Sequence, residues 1–151
     1  MKVTEGDLIK KAKEGGFDLI AHGCNCFCTM GAGIAKGIRS EFPEAFEADR
    51  VTQKGSKEKL GTCSFAKIER EEINLIVVNA YIQFDYRGRG VKVDYDAVRS
   101  CMKWIRENFE GERIGIPKIG AGLAGGDWQR ISQIVDEELA EEDVTLVEFR
   151  P

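Results

Sequence analysis

Strand, glycine-rich loop and helix follow one another twice in this chain, over Ile20–Ile38 and again over Ile116–Val135. In the first passage Phe17-Asp-Leu-Ile-Ala21 reads as a short buried strand. It leads through His22-Gly-Cys-Asn-Cys-Phe-Cys-Thr-Met30 into Gly31-Ala-Gly33, and Ile34 to Phe42 then reads as a helix stopped by Pro43. In the second passage Arg113 to Ile119 is a strand that ends in Gly120-Ala-Gly-Leu-Ala-Gly-Gly126. Asp127 then caps a helix with Ile131, Ile134, Val135 and Leu139 on one side. Alternating β and α elements predict a largely parallel sheet covered by helices. Ligands of such sheets sit at the carboxyl ends of the strands, where both glycine loops fall.

The remaining pattern fits the same α/β class. Pro43 suits the first position of a helix from Glu44 to about Lys54. Thr62–Ile68 and Ile73–Ile82 read as strands, and Leu75-Ile-Val-Val78 is apolar on both faces, as a strand between two helical layers must be. Asp94 or Asp96 caps a helix whose Val98, Met102, Ile105 and Phe109 keep the helical period. Thr145–Phe149 is a closing strand. A length of 151 residues is that of one domain, expected over residues 1–151.

The formal net charge is −4, and the 22 Lys and Arg are spread along the chain rather than massed. That argues against a nucleic-acid partner or an anionic membrane surface, both of which need a concentrated basic face. One small anion needs only a local pocket. No stretch approaches the ~20 apolar residues of a membrane span. The segment Met1-Lys-Val-Thr-Glu-Gly-Asp7 lacks a basic-then-apolar leader, so a cytoplasmic location is expected. Five cysteines is an odd number, read as free thiols in a reducing compartment.

His22, the only histidine, shares alternate positions with Cys24, Cys26 and Cys28. On an extended chain these four spread over about 20 Å at ~3.3 Å per residue, so they converge on a tetrahedral metal only if the chain coils sharply. No metal or cofactor is expected. A cysteine nucleophile with His22 as its base would lack a third, orienting group, and Cys24 and Cys26 read instead as small buried thiols. The glycine loops carry more chemistry. Backbone N–H groups at a helix start bind anions without Lys or Arg, and glycine lets the backbone come close. Two such loops, each after a strand, point to a pyrophosphate held between them. Neither fits G-x-x-x-x-G-K-[ST], and the first is not G-x-G-x-x-G, which argues against an ATP-hydrolysing loop and a dinucleotide dehydrogenase.

Taken in order, Glu5-Gly-Asp-Leu-Ile9, Asp18-Leu-Ile-Ala-His-Gly-Cys-Asn25, Met30-Gly-Ala-Gly-Ile-Ala35 and Ile116-Pro-Lys-Ile-Gly-Ala-Gly-Leu-Ala-Gly-Gly-Asp-Trp128 resemble the macrodomains, a family that binds ADP-ribose. The resemblance covers nearly the whole chain and implies a three-layer α/β/α fold with a mixed, largely parallel central sheet. The His-Gly-Cys-Asn-Cys wording and the Gly-Asp-Trp ending are closest to a branch of ADP-ribose 1''-phosphate phosphatases and of enzymes that remove ADP-ribose from protein carboxylates.

By position, the resemblance implies that Asp7 accepts from the adenine amino group, with the Leu8 backbone beside it. Asn25 would bond the distal ribose. Gly31, Ala32, Gly33 and Ile34, with Gly120, Ala121, Gly122, Leu123, Ala124 and Gly125, would wrap the pyrophosphate and terminal ribose. His22, Asn25 and Asp127 are the catalytic candidates, although His22 also reads as a buried structural histidine and Asp127 as a helix cap. Phe149 and Trp128 are candidates to stack on adenine. Some members of the branch use a lysine nucleophile and an aspartate that here fall near Gln83 and at Ala124, which counts against a lysine-adduct mechanism. The implied activity is hydrolysis of ADP-ribose 1''-phosphate. The alternatives are a non-catalytic ADP-ribose reader and a hydrolase that removes ADP-ribose from modified macromolecules. The expected ligand is ADP-ribose or its 1''-phosphate, with an ADP-ribosylated protein as a possible further partner.

Overall fold

The computed structural model describes residues 1–150. Its strands are β1 (Lys2–Gly6), β2 (Leu19–Cys24), β3 (Cys63–Arg70), β4 (Ile73–Tyr81), β5 (Arg113–Ile116) and β6 (Asp143–Phe149). The helices are α1 (Leu8–Lys13), α2 (Gly33–Glu41), α3 (Pro43–Arg50), α4 (Tyr95–Asn108) and α5 (Trp128–Glu138), with a single 3-10 turn at Lys57–Lys59. The strands form one sheet in the order β1-β6-β5-β2-β4-β3. Only the β3–β4 pair is antiparallel, and every other neighbouring pair is parallel.

The side-chain alternation of the central strands divides the core in two. Leu19 and Ala21 of β2, with Val78 and Ala80 of β4, pack beneath α4 and α5 against Val98, Met102, Ile105, Ile131 and Val135. Ile20 and Cys24, with Leu75, Val77 and Tyr81, face α1 to α3 and meet Leu8, Ile38, Phe42 and Ala45. The result is the three-layer arrangement and mixed sheet expected from the sequence. His22 and Asn79 fall on the second face by the same alternation and stand opposite one another in the β2–β4 register.

Several boundaries differ from expectation, each for a local reason. Strand β5 stops at Ile116 because Pro117 has no N–H to give a ladder. Helix α3 ends at Arg50 rather than near Lys54, with Val51 as its carboxyl cap. Asp94, not Asp96, caps α4, its Oδ1 accepting from Ala97 N at 3.0 Å. Strand β1 and helix α1 carried no assignment from sequence. Strand β1 is a mostly exposed edge paired with β6, and α1 is a helix of six residues.

Candidate functional site

Beyond Cys24, at the carboxyl end of β2, the chain folds into a tight bend held by Asn25. Its Oδ1 accepts from Phe27 N at 2.8 Å and its Nδ2 donates to Thr29 Oγ1 at 2.7 Å. Cys28 and Met30 adopt left-handed backbone conformations with φ 58° and 41°, unusual for residues with a Cβ. The bend delivers Ala32 to the N-cap of α2, where no side chain satisfies the first helical N–H groups. A helix start left open in this way is an anion-binding site in waiting.

The second loop closes on itself. Gly126 N donates to Gly120 O at 2.8 Å, and Gly125 N donates to Gly122 O at 3.0 Å. Gly126 has to be glycine, because an added Cβ would lie 2.6 Å from the Gly120 carbonyl oxygen. Lys92 N and Val93 N both donate to Ala124 O, tying this loop to the segment before α4.

The two loops flank a cleft with two lobes. One lobe, about 690 Å³, is bordered by Cys24, Asn25, Gly31, Ala32, Gly33, Ile34, Gly120, Gly122, Leu123 and Ala124, with Asp49, Gln83, Tyr86, Lys92 and Lys118. The other, about 660 Å³, is bordered by Asp7, Leu8, Ile9, Val147, Glu148, Phe149 and Arg150. Gly33, Ile34, Pro117 and Lys118 belong to both, so α2 begins where the lobes meet. Asp7 also caps α1, its Oδ1 accepting from Lys10 N at 3.1 Å.

The structure thus gathers Asp7, Leu8, Asn25, Gly31 to Ile34, Gly120 and Gly122 to Ala124 around one trough. Ala121 and Gly125 lie in the second loop without forming its wall. The two other catalytic candidates stand elsewhere. Asp127 accepts from Gln129 N at 3.0 Å as the cap of α5 and does not border the cleft. Trp128 lies outside the trough, along the exposed side of α5, whereas Phe149 borders the Asp7 lobe and is 72% exposed.

His22 is fully buried beneath the cleft. Its Nε2 is 2.7 Å from Asn79 Oδ1, and burial draws its pKa down to about 4 against the opposing pull of that hydrogen bond. Asn79 Nδ2 donates to Ala45 O and to Ser64 Oγ, each at 3.0 Å. Ser64 Oγ and Tyr81 OH are 2.8 Å apart, and Tyr81 donates to Asp49 Oδ1 at 2.6 Å. The imidazole therefore ends a buried polar chain instead of facing the ligand space.

Cys24, Cys26 and Cys28 do not gather with His22 as a ligand cluster would. Cys24 and Cys26 are buried, and desolvation pushes both thiols up, Cys24 most strongly. Cys28 turns toward α3 and donates to Asp49 O at 3.2 Å. Among the described residues no group of three or more His, Cys, Asp or Glu converges as metal ligands do, and no helix is long and apolar enough to cross a membrane.

Sequence reading passed over Asp49, Lys59 and Tyr81. A signal was present for Asp49, an acid one helical turn after the buried Ala45 in Pro43-Glu-Ala-Phe-Glu-Ala-Asp49. Its meaning depended on Tyr81, 32 residues away.

A family model described as the Macro domain matches residues 21–135, which include most of β2, both glycine loops and most of α5. The chain belongs to the macrodomain family. An uncharacterised 17.5 kDa protein of Enterobacteria phage T4 is 34% identical to it over 156 residues, spanning 100% of this chain and 97% of the phage protein. The ADP-ribose 1''-phosphate phosphatase of Candida albicans is 28% identical over 148 residues, 91% of this macrodomain and 92% of the yeast protein. Among solved structures, Thermosipho africanus DarTG in complex with ADP-ribose superposes with a TM-score of 0.75 at 18% identity, covering 99% of this macrodomain and 41% of that chain.

Proposed function

We propose that this macrodomain binds ADP-ribose derivatives along its trough and hydrolyses ADP-ribose 1''-phosphate. One observation carries the binding reading: two glycine loops flank a cleft whose lobes share the uncapped start of α2. A nucleoside diphosphate sugar matches that layout. Adenine goes to the Asp7 lobe, the diphosphate to the α2 N–H groups and the Gly120–Gly125 loop, and the terminal ribose to the Asn25 lobe. Lys118, bordering both lobes, adds positive charge beside the diphosphate.

The phosphatase reading draws on the similarity to the Candida enzyme. Water attacks phosphorus, the bond from phosphorus to the ribose 1'' oxygen breaks, and that oxygen leaves with a proton as the free sugar hydroxyl. Loop amides stabilise charge on the phosphate oxygens, a role that backbone dipoles fill well. Asn25 holds the sugar. Purified protein is incubated with ADP-ribose 1''-phosphate and released phosphate is measured. Release above a boiled control supports turnover, and its absence overturns it.

The burial of His22 favours a second reading, an ADP-ribose reader without turnover, because it removes the one imidazole from the trough. Tight ADP-ribose binding by calorimetry with no phosphate released selects it. We place the protein in the cytoplasm, a reading supported by its five unpaired cysteines.

A further inference from the structure

Asp49 Oδ2 is a buried side-chain oxygen with no hydrogen-bond partner among the described residues. Asp49 lies on the inner side of α3, is 1% exposed, and forms part of the wall of the Asn25 lobe. Its two oxygens are treated differently. Because Asn79 Nδ2 donates to Ser64 Oγ, and Tyr81 donates to Asp49 Oδ1, the Ser64 hydroxyl proton goes to Tyr81. The chain that runs from Asn79 through Ser64 and Tyr81 therefore donates toward Asp49 Oδ1, and together with the Lys59 charge it favours the carboxylate against the burial that pushes this group up.

Lys59, 7% exposed, supplies nearby positive charge. Its hydrogen bonds go elsewhere, to Cys26 O at 3.2 Å and Cys28 Sγ at 3.5 Å. Oδ2 is left with nothing. A buried acceptor without a donor is costly and rare, and because the residue that carries it borders a ligand cleft, a donor brought by the ligand would relieve that cost.

We propose that Asp49 is a specificity-determining residue whose Oδ2 accepts a hydrogen bond from a hydroxyl of the ligand's terminal ribose. This rests on the reading of the trough as an ADP-ribose site. With adenosine in the Asp7 lobe and diphosphate at the start of α2, the sugar reaches the lobe that Asp49 borders. Sugar hydroxyls are donors, and an ionised carboxylate is an acceptor only. The pairing rewards a ligand that ends in a sugar over one that stops at the diphosphate.

Calorimetric titration of the wild type and Asp49→Asn with ADP-ribose and with ADP tests this. Asparagine keeps the acceptor for Tyr81 and places an N–H₂ where Oδ2 stood. ADP-ribose affinity falls about tenfold or more, the scale of a charge-assisted hydrogen bond, while ADP affinity stays within about twofold. An equal fall for both ligands, or no fall, overturns the proposal for Asp49 while leaving ADP-ribose binding intact. A wild type that binds neither nucleotide overturns the reading of the trough and this proposal with it. Should the variant fail to fold, wild-type crystals soaked in ADP-ribose decide. A ribose hydroxyl within ~3.2 Å of Oδ2 supports the proposal, and a sugar bonded only to other groups overturns it.

Discussion

His22 Nε2 and Asn79 Oδ1 meet at 2.7 Å across strands β2 and β4, both side chains fully buried. Asn79 gives both amide hydrogens away, to Ala45 O and Ser64 Oγ, so its oxygen must accept. The imidazole proton therefore sits on Nε2, and the ring is neutral at physiological pH.

A pH dependence of stability follows. Unfolded, His22 titrates near 6.5; folded, burial holds its pKa at about 4. Above pH 6.5 neither state binds the proton and the contribution is fully present. As pH falls toward 4 the unfolded chain takes up a proton that the native state refuses, and stability is lost, by roughly 3 kcal/mol at most. Urea denaturation at pH 7 and pH 4.5 measures the slope. His22→Gln reduces it, and at a temperature where the variant is folded it keeps phosphate release within about threefold of wild type. A loss of two orders of magnitude or more would place the imidazole in the chemistry.

Ala32→Asp separates stability from binding. The new side chain can cap α2, which now has none, and raises stability by about 0.5–2 kcal/mol. The same carboxylate occupies the anion position and repels diphosphate, so ADP and ADP-ribose affinity fall at least tenfold. Melting temperature and calorimetry are read on one sample. A variant that is stabilised and still binds normally would remove the diphosphate from the start of α2.

Asp7 both caps α1 and faces the second lobe. Asparagine caps about as well as aspartate, so Asp7→Asn changes stability by less than about 0.5 kcal/mol. With its oxygen engaged at Lys10 N, the amide turns N–H groups toward the adenine amino group, and affinity for adenine nucleotides falls about tenfold. Unchanged ADP affinity would move adenine out of this lobe.

Thiol chemistry is the simplest check of the core. Cys24, Cys26 and Cys101 are buried, and desolvation raises the first two, whereas Cys28 and Cys63 are partly exposed. Thiolate formation and access both control alkylation. Mass spectrometry after brief iodoacetamide treatment of native protein finds Cys28 labelled well before Cys24. Early labelling of Cys24 would mean that the floor of the cleft opens.

The parts of the fold written into local sequence were readable in advance. The run Leu75–Val78, the cap at Asp127 and the helix stop before Pro43 each depend on neighbours a few residues away. Both glycine loops announced themselves for the same reason. Strand β1 did not, because an exposed edge strand needs little apolar patterning and takes its identity from β6. His22 was ambiguous on its own. Titrating near neutrality in solution, it suits catalysis, and only the fold shows it buried and hydrogen-bonded to Asn79, 57 residues away. The unmet oxygen of Asp49 is likewise a property of packing and not of any short motif.

Strand β1 lies beside β6, so Lys2 and Thr145 are register partners although they stand near opposite ends of the chain. During synthesis β1 waits, without its partner, until β6 has left the ribosome. The Asp7 lobe is completed only then, since Val147 and Phe149 form its far wall. A truncated translation product stopping before β6 would carry both glycine loops and lack one wall of the Asp7 lobe, leaving an open groove where the finished protein has a trough.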